Sequence, residues 1–223
     1  MIPSVSTLFL IILGVVTLLW FLRRTQRSSR LVYVKNYRFH PGVIKRFRAE
    51  HPQLDDGEVK DVIGGLKDYF LLHQMAKKEF MAMPSQVVDD LWHEFILFTK
   101  QYQDFSQKAL GRYLHHTPAE AMDEKQDASA ALKLTWSHCC KLEKIDPMRP
   151  THLPRLFNLD QRYKIPNGFY YTKNCHGDKS MGYCGSHMGC TSGCISGAES
   201  SSGGFSSDAG SGCSSCSSCG GGD

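Results

Sequence analysis

The chain has 223 residues, 26 of them Lys or Arg and 22 Asp or Glu, for a formal net charge of +4. Nine basic residues, ending at Arg48, precede the first acidic residue, Glu50, so residues 50–223 carry −5. That acidic body lacks the basic face that neutralises phosphates, which excludes nucleic acid as a partner.

Residues 4–22 contain no charged side chain. As a helix this stretch spans roughly 28 Å, enough for the hydrocarbon core of a bilayer. Trp20 and Phe21 stand at its end, where amphipathic rings favour the interface. Arg23, Arg24, Arg27 and Arg30 follow it. Basic residues beside a span stay cytoplasmic, so the N-terminus is expected outside and the remainder inside. A cleaved signal peptide would carry its positive charge before the run and small residues after it. Residues 1–22 are therefore read as a single transmembrane anchor, and residues 23–40 as a basic juxtamembrane linker that either lies on anionic lipid or serves only as a topology signal.

About 125 residues then precede a change of composition, enough for one core. The expected fold class is all-α, a compact helical bundle over residues 41–165. A first short helix starts at Pro41 and ends near Glu50, before His51-Pro52. A second runs from Glu58 to Met81, with Val59, Val62, Ile63, Leu66, Tyr69, Phe70 and Phe80 at helical spacing. Its Gly64-Gly65 pair lowers helix propensity and permits close packing. A third opens at Pro84-Ser85 and runs to Gly111 as one wide apolar stripe, Val88 to Phe105. The fourth covers Pro118 to Ile145 and is closed by Asp146-Pro147. A short amphipathic piece, Leu153 to Tyr163, completes the module. Tyr33–Phe39 reads as an extended lead-in.

Residues 166–223 are expected to form a disordered tail, rich in Gly, Ser and Cys and poor in large aliphatic side chains. The chain has nine cysteines. In a reducing cytoplasm they act as free thiols or metal ligands rather than disulfides. Cys213-x-x-Cys216-x-x-Cys219 has spacing that can chelate a soft metal. Cys139 and Cys140 lie on the fourth helix, with Cys139 on its core face.

His93-Glu94 invites comparison with H-E-x-x-H, but Leu97 occupies the second His position and the zincin reading fails. Asp89 and His93 are spaced i, i+4 and share a helix flank. His73 falls on the seam of the second helix. His115-His116 follow the third. If the two long helices pack antiparallel, His73 and His93 face each other and the turn histidines complete a site for zinc or another transition metal. In the alternative, His73 is a core residue and Asp89 merely holds His93. No nucleophile motif, phosphate loop or dinucleotide fingerprint appears.

The block Met83-Pro84-Ser85-Gln86-Val87-Val88-Asp89-Asp90-Leu91-Trp92-His93-Glu94-Phe95, followed by Gly111-Arg112-Tyr113-Leu114-His115-His116, resembles the glycine-rich domain-containing protein-like family. That family is known from plants, and uncharacterised bacterial membrane proteins carry a similar module. The likeness covers residues 57–160. Plant relatives often read Trp-His-x-His where this chain has Trp92-His93-Glu94-Phe95, which removes one ligand. The resemblance implies a helical module and no particular reaction.

The leading functional expectation is a membrane-anchored, cytoplasm-facing binding or scaffolding module, with the bilayer and an unidentified protein as partners and no assigned catalytic residue. A metal-dependent enzyme using Asp89, His93 and one or more of His73, His115 and His116 is the first alternative. Metal or redox sensing by the Cys tail is the second.

Overall fold

A computed structural model describes residues 5–76, 79–116, 128–173 and 183–184. Among these the fold is all-α: α1 (Val5–Asn36), α2 (Pro41–Glu50), α3 (Asp56–Met75), α4 (Gln86–Leu97), α5 (Thr99–Leu110), α6 (Ala128–Glu143) and α7 (Arg155–Arg162). Two-residue strands β1 (Tyr171–Thr172) and β2 (Tyr183–Cys184) pair in parallel. The expected Cys213, Cys216 and Cys219 cluster lies outside the described residues, as does the start of the fourth expected helix at Pro118.

α1 is one helix long and apolar enough to cross a membrane. It does not stop at Leu22. The expected linker is helical as far as Asn36, because no Gly or Pro interrupts residues 23–36. Its last turns dock rather than drift. Val34 is fully buried, and Tyr33 and Tyr37 pack on Phe105 at ring separations of 6.0 and 4.5 Å. Arg30 donates to the Leu110 carbonyl at 3.2 Å, and Lys67 donates to the Lys35 carbonyl at 2.9 Å. Both bonds satisfy carbonyls that a helix end leaves free. Gly111 closes α5 in the left-handed region (φ 73), with the Arg30 guanidinium against it. The lead-in expected over Tyr33–Phe39 is thus helical as far as Asn36 and irregular only after it.

Pro41 at the start of α2 and a capping box at α3, Asp55 with Glu58, set the next two helices. α3 ends at Met75 rather than Met81. The chain beyond is tied back where the Tyr69 hydroxyl donates to the Met81 carbonyl at 2.9 Å. Gly65 brings α3 against α4 and α7. A Cβ there would meet Leu159 at 2.7 Å and Val88 at 3.1 Å. At Gly64 the same space is taken by the Arg155 guanidinium.

The third expected helix is two. It breaks at Phe98 (φ −83, ψ 60), whose ring leaves the stripe to pack on His40 at 5.4 Å. The break turns α5 so that Tyr102 and Phe105 both meet Phe95, at 5.2 and 5.4 Å. No Gly or Pro marks it, so local propensity alone does not reveal it.

The N-terminus of α4 is held from the far end of the chain. Asp160 on α7 is buried, and its carboxylate accepts from Ser85 Oγ (2.7 Å), Gln86 N (2.6 Å), Val87 N (3.2 Å) and Phe169 N (2.9 Å). Ser85 still accepts from Val88 N at 3.4 Å, the N-cap role expected of it. The module also runs past residue 165. Ile165 and Tyr171 are buried, and the Tyr171 ring stands 4.8 Å from Phe157. Tyr171, inside the stretch expected to be tail, is therefore packed on the module, because burial of its ring outweighs the cost of ordering the short segment that carries it.

Candidate metal centre

Three side chains converge on the exposed flank of α4. Asp89 and His93 lie one turn apart, as their spacing requires, and His116 comes back over them from the loop after α5. His116 Nε2 is 3.0 Å from Asp89 Oδ1, and His93 Nε2 is 3.7 Å from Asp89 Oδ2. The imidazole rings are 4.3 Å apart. One donor atom from each residue lies within 4.8 Å of the other two.

A buried relay positions the loop. Trp92 Nε1 donates to Tyr102 Oη at 3.2 Å, and the Tyr102 hydroxyl donates to the Leu114 carbonyl. Burial pushes the Tyr102 hydroxyl up to about 12, so it stays protonated and keeps donating. With Leu114 pinned, His116 stands edge-on to Trp92, 4.6 Å between rings. By spacing alone Trp92 and Tyr102 are members of an apolar stripe. Their polar tips were the available signal, since buried indole and phenol groups need partners.

The other candidates fall elsewhere. His115 is exposed and packs on Tyr113 at 4.8 Å. Asp90 is held by His51 Nε2 at 2.9 Å and Gln86 Nε2 at 2.8 Å. Glu94 is buried in an ion pair with Arg46 of α2, far from a role beside His93. His73 does not face His93. α3 and α4 run in the same sense, since Gly65 meets Val88, Tyr69 meets Trp92 and Phe70 meets Phe95. The antiparallel pairing that would join the two histidines is absent.

His73 is instead a core residue, edge-on to Tyr69 at 4.6 Å, with no hydrogen-bond partner for either ring nitrogen among the described residues. Burial, with the Arg112 charge, pushes it from 6.5 down to about 3. The folded protein therefore keeps His73 neutral while the unfolded chain takes up its proton below pH 6.5. Stability linked to this group is complete above that value and is lost as pH falls towards 3. The loss between pH 7 and pH 5 is roughly 2 kcal/mol. His73→Leu should match or exceed the wild type at pH 7 and remove that part of the acid sensitivity, as read by urea unfolding at both pH values.

Cys139 and Cys140 are free and buried, and burial raises both thiols, Cys140 to about 12. They are inert packing groups at neutral pH. A separate cleft, lined by Asp61, Glu143, His152, Arg155, Asn158 and Arg162 among others, shares no residue with the cluster. Its arginines are already paired, Arg155 with Asp68 at 3.3 Å and Arg162 with Asp61 at 3.4 Å.

Two neutral imidazoles and a carboxylate suit zinc or ferrous iron and do not suit the all-oxygen cations. Donors about 2 Å from one tetrahedral ion stand about 3.3 Å apart. The His116 edge to Asp89 Oδ1 is already close to that, whereas His93 approaches the other oxygen, Oδ2, so the exposed His93 side chain must move for all three donors to meet one ion. The chain matches the UCP032817-like family model over residues 29–191 and belongs to that family. No curated protein and no solved structure matches it.

Proposed function

We propose that this is a membrane-anchored module that binds a transition metal, with Asp89, His93 and His116 as ligands and zinc as the first candidate. One observation carries it: donors from an α4 turn and from a loop 23 residues further on converge at a single solvent-accessible point. The positive flank of α1 supports a cytoplasmic position for the module, with the N-terminus outside. The docked end of α1 supports a scaffold-like role, since the site is carried on a stalk continuous with the anchor. The likeness to the glycine-rich domain-containing proteins adds a helical module with both His blocks and nothing about chemistry.

The test uses the full-length protein in detergent, with the seven tail cysteines replaced by Ser so that thiols cannot supply the metal. One zinc per chain is expected by elemental analysis, falling to background in His116→Ala with helicity unchanged. Retention of zinc in that variant, or its absence from the parent, would reduce the cluster to a hydrogen-bonded strut.

A further inference from the structure

Building on the reading of Asp89, His93 and His116 as a metal set, we propose that the bound ion keeps one coordination position open to solvent, and that this position takes an exogenous anionic oxygen ligand, a carboxylate or a phosphate. Four features point to it. The three donors found among the described residues leave a tetrahedral zinc one ligand short, the arrangement of catalytic rather than structural sites. Among the described residues, the neighbouring carboxylates are committed elsewhere, Asp90 to His51 and Gln86, and Glu94 to Arg46.

The exposure of the three ligands is also uneven. The His93 side chain is 51% exposed, against 20% for Asp89 and 16% for His116. Trp92, buried and edge-on to His116, closes the inner side. The vacant direction is therefore outward, beside His93. Charge then selects the ligand. Two neutral imidazoles and one carboxylate leave a divalent ion with a net charge of +1, which favours an oxyanion over a neutral donor.

Cobalt reports this directly. The full-length protein with Ser at the tail cysteines is loaded with Co²⁺ and titrated with azide, acetate and inorganic phosphate. The visible ligand-field band of the bound ion is expected to shift saturably with azide, and with acetate or phosphate. Whichever of those two acts at the lower concentration identifies the oxyanion class. His93→Ala should abolish the band. A band that none of the three anions moves would overturn the open position and leave the metal reading intact, because a fourth protein group would then fill the shell. If no cobalt is retained, the metal reading itself fails, and this inference with it.

Discussion

Asp160→Ala should lower the unfolding free energy by about 3–5 kcal/mol, because several buried neutral donors lose a charged acceptor at once. Four donors converge on that carboxylate, and two of them are backbone amides of the first turn of α4. A helix start has no intrahelical acceptor for those amides, and its dipole favours a negative group. The alanine variant leaves buried donors unmatched, each costing about 1–3 kcal/mol. Asp160→Asn should lose most of the same stability, because its amide nitrogen presents donors to donors. Thermal unfolding of the full-length protein reads both, with a fall in Tm of roughly 10 °C expected. A loss under about 1 kcal/mol would mean that solvent replaces the carboxylate at the end of α4, and that α7 does not lock it.

The second large effect concerns the cluster. Asp89→Ala, His93→Ala and His116→Ala should each weaken zinc binding by well over the roughly 10–100-fold typical of losing a supporting partner. His115→Ala and His73→Leu should leave it within about twofold, since neither ring reaches the convergent atoms. Competition with a chromophoric chelator measures all five. Equal losses from His115 and His116 would contradict the geometry, which places one ring outward on Tyr113 and the other on Asp89.

Local signals carried much of this fold into view. Pro41, Ser85 and Gly111 mark helix ends through side chain and backbone chemistry that acts within four residues, whereas the Asp55–Glu58 box went unread. Asp89 with His93 was legible for the same reason, being one helical turn. What stayed hidden is tertiary. The break at Phe98 goes with the packing of its ring on His40, the N-cap of α2, and nothing between Phe95 and Tyr102 announces it. Asp160 reads as an ordinary polar position on a short helix until the fold sets it against residues 85–87.

His73 shows the limit from the other side. It does lie on the α3 seam, as its spacing indicates, but a seam position says nothing about the sense of the neighbouring helix. The parallel run of α3 and α4 separates it from His93. His116 was one of two adjacent candidates, and only the pinning of Leu114 by Tyr102 distinguishes it from His115. The extension of α1 to Asn36 is similar. Its basic residues suggest a linker, whereas Leu31 and Val34 supply the apolar contact that keeps it helical and docked.

X-ray absorption at the zinc edge of the full-length protein, with Ser at the seven tail cysteines, bears most directly on the metal site. A first shell of nitrogen and oxygen at about 2.0–2.1 Å with imidazole scattering is expected. A sulfur shell at about 2.3 Å would place the ion on thiolates instead and contradict a centre built from Asp89, His93 and His116.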